Sequence, residues 1–157
     1  MSVVSDTTAI TYLYQVGQLS LLEQLFSEIC VPQAVALELE VSHPGLIGRT
    51  SFLRLVDADA ATCLAIAADY PELDRGELEA IAFAYGEGSR LVIIDEVAGR
   101  NACVNLGLPK TGLLGILEKS KERRLIAEVR PVAESVVERG LRVRPALLAA
   151  FLAGIGE

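Results

Sequence analysis

The run Leu91–Ile94, closed by Asp95, constrains the fold more than any other stretch. Four consecutive apolar side chains point alternately to opposite sides of a strand, so both faces of that strand must be covered. Strands of this kind belong to parallel sheets, whose neighbours are joined by crossovers of a dozen or more residues, usually helical. The rest of the chain is punctuated to supply them. Val3–Ser5 reads as a short buried strand, followed by a helix over "TTAITYLYQVG" that Gly17 closes. "SLLEQLF" restarts a helix, with Ser20 and Glu23 at capping-box spacing. "EICVP" is a second strand, and Pro32 suits the first position of the helix "PQAVALELEV". "SHPGLIG" is a loop. Residues 49–70 are ambiguous: "FLRLV" suits a strand and "ATCLAIAADY" a helix. "LDRGELEAIAFAYGEG" is a helix starting at Asp74 and stopping at Gly86 or Gly88. After the strand ending at Asp95 come the helix "EVAGRNACVNLG", a short strand or connector in "LPKTG", and the helix "GLLGILEKSKERRL". The last two helices, "PVAESVVERG" and "PALLAAFLAG", each open on proline and close on glycine. Short strands alternating with helices predict a three-layer α/β/α sandwich with a short central parallel sheet.

At 157 residues the chain is expected to form one domain, residues 1–157. It is 52% hydrophobic with a mean hydropathy of +0.42, yet no apolar run reaches the roughly 18–20 residues of a membrane span. The surplus of apolar side chains predicts a buried subunit interface, hence a homodimer without membrane association. The amino terminus enters a strand without a basic flank, so no secretory signal and a cytoplasmic location are expected. Cys30, Cys63 and Cys103 are odd in number and lack metal spacing, which suits free thiols in a reducing compartment. The net charge of −7 is divided unevenly: residues 1–89 hold three basic and thirteen acidic side chains, residues 90–157 eleven and eight. An acidic first half excludes non-specific nucleic-acid binding over the whole surface and leaves an acidic site beside a mildly basic rim.

In parallel α/β sheets, ligands sit outside the carboxyl ends of the strands. Four acidic residues can converge there. Asp6 ends the first strand, Glu38 lies in the helix after the second, Glu77 in the first turn of the helix before "LVIID", and Asp95 ends that strand. Glu96 follows as a weaker candidate. Each has a structural alternative: Asp6 as a helix cap, Glu77 as partner of Asp74 in an Asp-led capping box, and Glu38 as part of a solvated face. Carboxylates gathered at about 4 Å repel by roughly 4 kcal/mol per pair at an effective dielectric near 20, so a cluster needs a cation. Oxygen-only ligands suit Mg²⁺ or Mn²⁺, which activate water and steady a phosphoryl leaving oxygen. Other chemistries lack residues. His43, the only histidine, sits in the turn "SHPG", and no phosphate-cradling loop or dinucleotide fingerprint is present. "KSKERR" reads as a solvated helix end.

The order and spacing of these segments resemble the PIN-domain family, named after the PilT N-terminus, over most of the chain. "VVSDTTAI" is similar to the family's first motif, "VPQAVALEL" to the second, and "GELEAIAFAYGEGSRLVIIDE" to the third and fourth. "GRNACVNLGLPKTGLLGIL" resembles a little-characterised prokaryotic branch. The resemblance implies a Mg²⁺- or Mn²⁺-dependent endoribonuclease, often a VapC-like toxin paired with an antitoxin protein and usually dimeric. It places Asp6, Glu38, Glu77 and Asp95 as catalytic metal ligands acting on RNA. Thr7 or Thr8 would orient Asp6 or bind a phosphate oxygen, and Arg100 and Lys110 would grip the strand. The sequence departs from the family in having Glu77 where many members have Asp, and Thr8 where many have Asn or Ser. A non-catalytic module binding RNA or protein, and a small-molecule phosphohydrolase, are the alternative readings.

Overall fold

The computed structural model describes residues 2–157. Its centre is a five-stranded, all-parallel sheet ordered β3-β2-β1-β4-β5. The strands are β1 (Val3–Ser5), β2 (Ile29–Pro32), β3 (Leu53–Val56), β4 (Leu91–Ile93) and β5 (Lys110–Thr111). Alternate residues serve opposite cores, as the pleat requires. Val3, Ile29, Val31, Leu53 and Ile93 face α1 (Thr7–Gln15), α2 (Ser20–Phe26), α3 (Gln33–Ser42), α7 (Leu113–Glu122) and α8 (Arg130–Glu138). Val4, Cys30, Val56, Val92 and Ile94 face α4 (Ala60–Asp69), α5 (Arg75–Glu87) and α6 (Val97–Asn105). The architecture is the expected α/β/α sandwich, and both ambiguous segments take their expected forms as β3 and α4. The cysteines are unpaired, with Cys30 and Cys103 buried.

The strand order places β1 at the centre. The chain leaves β1 toward β2 on one side, and β4 returns on the other, so the topology reverses between β1 and β4. Such a reversal opens a crevice at the carboxyl edge, because the connections diverge to either side. Asp6 directly follows β1, and Asp95 stands one residue further beyond β4, after Ile94.

Local rules set most helix ends. Asp74 and Glu77 form the expected reciprocal capping box, and Gly88 closes α5 in the left-handed region at φ +62°. Two expectations are corrected. Ser20 is not a cap: α2 begins after Leu19, and the carbonyls of Gln18 and Leu19 take the N–H groups of Leu21 and Leu22. Pro32 belongs to β2, in register with Val56, and precedes α3 as its N-cap. With no hydroxyl or carboxylate of its own to cap it, α3 is served from another helix. Glu79 of α5, only 8% exposed, accepts the Ala34 N–H at 2.9 Å through Oε1 and pairs with Arg75 at 2.8 Å through Oε2.

The last helix, α9 (Pro145–Gly154), is almost wholly apolar yet fully buries only Leu152. Glu157 fastens the segment beyond it. Its carboxylate accepts Lys121 Nζ at 2.7 Å and the N–H groups of Val129 and Arg130 at 2.8 Å each. The Lys121 bond above all, with the two backbone donors, holds this carboxyl down to about 2.

Replacing Glu79 tests the cross-helix cap. Glu79→Ala leaves the Ala34 N–H unpaired and should lower unfolding free energy in urea by about 1–3 kcal/mol. Glu79→Gln, which keeps an acceptor, should lose less; equal losses would refute the capping role.

Candidate active site

Asp6 is set by the sheet itself. Its backbone N–H donates to the Ile93 carbonyl at 3.0 Å, extending the β1–β4 pairing by one residue. The side chain caps α1, but loosely, with Oδ1 accepting the Thr8 N–H at 3.3 Å. It is 4% exposed. Burial first, then the neighbouring Asp95 charge and, less, Glu77 and Asp74, hold its carboxyl well above the usual range against the Thr8 bond. The helix-cap reading of Asp6 holds, as a long bond on a carboxylate crowded by others.

Asp95 stands just beyond β4. Oδ1 accepts the N–H of Leu113, the first residue of α7, at 3.0 Å, while Oδ2 is buried without a hydrogen-bond partner among the described residues. Burial raises its carboxyl; the Leu113 bond and the Arg100 charge work the other way. Glu77 repeats the pattern. Oε1 accepts the Asp74 N–H at 3.0 Å in the capping box, and Oε2 is buried and unpartnered. Burial pushes this carboxyl up to about 6. Glu38 stands exposed on α3, with the Thr7 hydroxyl donating to Oε2.

Asp6, Glu38 and Glu77 line one crevice of about 380 Å³ with Thr7, Thr8, Glu72, Asp74 and Glu96. Asp95 lines an adjoining cleft of about 610 Å³, which shares Glu96 and Val97 with the crevice. Among the described residues, no three acidic, histidine or cysteine side chains converge to metal-coordinating geometry. Glu72 and Asp74 were missed from sequence. Asp74 carried a signal, since a cap three positions before Glu77 lies on the same rim.

Three glycines hold the carboxylates close to backbone. A Cβ at Gly76 would stand 2.9 Å from Glu38 Oε1, one at Gly99 2.9 Å from Glu77 Oε2, and one at Gly112 2.7 Å from Asp95 Oδ1. At Gly112 the Asp95 carboxylate, held by the Leu113 N–H, leaves no room for a side chain; at Gly99 the nearest atom is Ile94 Cδ1 at 2.3 Å, and at Gly76 the exposed Glu38 arm can swing aside. The residues fit a divalent cation: the donors are hard carboxylate oxygens, and two of them are buried with nothing to satisfy them.

The cations are placed unequally. Arg100 and Lys110 line the cleft beside Asp95. Of "KSKERR", Lys119–Glu122 form the last turn of α7, Arg123 is its C-cap and Arg124 lies beyond, at the far end of a helix about 15 Å long from the Asp95–Leu113 bond. His43 packs against Tyr14, with ring centroids 4.9 Å apart, and does not line the crevice.

An all-parallel α/β/α sandwich with an acidic crevice at its topological switch defines the class of protein. A family model described as a PIN domain matches residues 2–157, and the chain belongs to the PIN-domain family, in general a family of nucleases. A search of curated proteins finds no significant match.

Protonation of Glu77 gives a direct test of the strain in the metal-free site. Its carboxyl rises from 4.5 to about 6 on folding. A raised pKa means that the stability contributed by this group is complete below the unfolded value and is lost as pH rises through the folded one. Glu77→Gln keeps an acceptor for the capping box. In chelator, the variant should gain stability on the parent between pH 4.5 and about 6 and hold that gain above. A gap independent of pH would refute the unfavourable burial of this carboxylate.

Proposed function

We propose that the chain is a Mg²⁺- or Mn²⁺-dependent endoribonuclease, with Asp6, Glu38, Glu77 and Asp95 as the carboxylates that hold the ion, directly or through water. The observation that carries the reading is the pair of buried oxygens without a partner among the described residues, Glu77 Oε2 and Asp95 Oδ2, both belonging to carboxylates whose charges bear on Asp6. When bound, the ion supplies charge to offset these carboxylates, lowers the pKa of an attacking water and steadies the departing oxygen of the phosphodiester. The protein's part is positional. β1 and β4 fix Asp6 and Asp95, the capping box fixes Glu77, and the Thr7 hydroxyl turns Glu38. Arg100 and Lys110 draw the RNA backbone toward the carboxylates, whose own charge would repel it. Glu96, exposed at the border of crevice and cleft, stands as an auxiliary ligand.

The toxin role, a cognate antitoxin and a cytoplasmic location are supported by the family resemblance, together with the lack of any helix, among the described residues, long and apolar enough to cross a membrane. A homodimer is supported by Leu37 and Val41, which lie one turn apart on α3 and are 68% and 86% exposed. Light scattering at micromolar concentration should give twice the monomer mass of 16.8 kDa; a monomeric mass would refute the dimer.

The nuclease reading is tested with mixed RNA substrates in Mg²⁺, Mn²⁺ or EDTA. Cleavage should require the metal and vanish in Asp95→Asn. Gly112→Ala, which crowds Asp95 without removing a carboxylate, should cost about 10–100-fold, as disturbed metal-ligand support does. The parent should gain about 2.7 kcal/mol of stability at a hundredfold excess of metal over its dissociation constant. Asp6→Ala should lose most of that gain and, because its cap bond is long, be no less stable than the parent without metal. RNA binding without cleavage would favour a non-catalytic module. Turnover of a phosphomonoester with RNA untouched would favour a small-molecule phosphohydrolase.

A further inference from the structure

We infer that the cleft beside Asp95 is a nucleobase subsite, taking one base of single-stranded RNA next to the cleaved phosphodiester. The inference rests on the ribonuclease reading and names a part of the substrate that the carboxylates do not touch.

The first observation is continuity. The cleft holds Asp95 on its wall and shares Glu96 and Val97 with the crevice, so an occupant is in contact with the border of the carboxylate site. Its volume of about 610 Å³ falls within the roughly 300–1,000 Å³ usual for small-molecule sites.

The second is a change of chemistry across that border. All the charged residues that line the crevice are acidic. In the cleft the acids are only Asp95 and Glu96 at the shared edge, and the cations are Arg100, Lys110 and Arg142. None of the ion pairs among the described residues involves these three. Cations outside any close ion pair, with only Arg100 acting at range on Asp95, match the phosphates of a polyanion.

The third is the apolar part of the lining. Leu147 and Phe151 stand four positions apart on α9, hence on one face, and both line the cleft. Leu147 is 53% exposed, although α9 is packed well enough to bury Leu152. An aromatic ring and an aliphatic side chain beside free cations suit the flat, apolar face of a base with its phosphate alongside. A base stacked inside a duplex offers no free face, so the strand is single. The wall is anchored. Leu141 is buried and donates its N–H to the Val136 carbonyl at 3.1 Å, and Glu157 fastens the far end of α9 to Lys121, Val129 and Arg130. The charge complementarity favours RNA over an apolar protein segment, which would have no use for three cations.

The test uses short single-stranded RNAs in which each nucleotide flanking the cleavage position is replaced in turn by an abasic one. For the parent, one position should cost about 10-fold in kcat/KM, within the range of a lost base–aromatic stack. Leu147→Ala, which removes an exposed side chain, and Phe151→Ala should each shrink that penalty. Arg142→Ala should weaken all RNAs alike and flatten the salt dependence. Fluorescence anisotropy on the same oligonucleotides in Mg²⁺ separates the two readings. A base penalty in binding that depends on Leu147 and Phe151, without any cleavage, would uphold the subsite and refute the ribonuclease. Cleavage with the same penalty in parent and variants would overturn the subsite and leave the ribonuclease standing. Failure to bind any of the RNAs would overturn it as well. So would unaltered RNA profiles in Leu147→Ala with loss of self-association, which would assign the cleft to a protein contact.

Discussion

The hydrogen bond from the Asp6 N–H to the Ile93 carbonyl ties the first loop of the chain to the end of β4. It brings Asp6 to the Asp95 rim at the point where the sheet reverses direction, and the rest of the site follows from that proximity. Burial and like charge both oppose ionisation there. The fold answers mainly with backbone dipoles, to which the Arg100 charge adds at Asp95. Asp95 receives the first N–H of α7, Asp6 one from α1, and Glu77 that of Asp74. For Asp95 and Glu77 the backbone satisfies one oxygen and leaves the other buried and bare. Each carboxylate is thus oriented without being neutralised, the state in which a cation has most to contribute.

Rigidity around these oxygens comes from what is missing. A methyl group at Gly112 would meet Asp95 Oδ1 at 2.7 Å, and one at Gly99 would meet Ile94 Cδ1 at 2.3 Å and Glu77 Oε2 at 2.9 Å. The constraint is one of space: the flanking segments close on the acidic side chains as tightly as a bare Cα permits. The cross-helix bond from Glu79 to Ala34 works at longer range, because it fixes the start of the helix that carries Glu38. Glu77 has a longer arm than an aspartate would, and the capping box with Asp74 fixes it.

Much of this was legible in the residues. The β-branched runs ending in Asp6 and Asp95 identify the central strands, since few other settings bury both faces of so short a segment. Gly17, Gly88 and Gly107 mark turns in the left-handed region as expected. Asp74 and Glu77 show where sequence reasoning forced a false choice: the capping box is real, and it also aims Glu77 into the crevice. The division between the acidic crevice and the adjoining cleft was not legible, because it depends on α9 folding back beside β5, and nothing local in "PALLAAFLAG" specifies that. Ser20 failed as a cap because main-chain carbonyls one and two residues earlier were already in place. Glu79 escaped notice because its partner lies 45 positions away and is a backbone N–H, which leaves no mark in sequence.

The position of β1 also bears on how the chain acquires its shape. The first strand is the middle one, and its contact with the β4 side spans the chain: Ser2 and Ser89 share a 2.7 Å hydrogen bond across 87 positions. Loop closure on this scale has to precede the contacts at the centre of the sheet, which slows folding. A chain emerging from the ribosome carries Asp6 almost at once, yet Asp6 has no second sheet neighbour until Leu91–Ile93 has been made, and Asp95 has no N–H partner until Leu113 follows. The acidic site is therefore assembled in one late event. A nascent chain holding only the first half has separate carboxylates in open water, with none of the crowding that makes them a site.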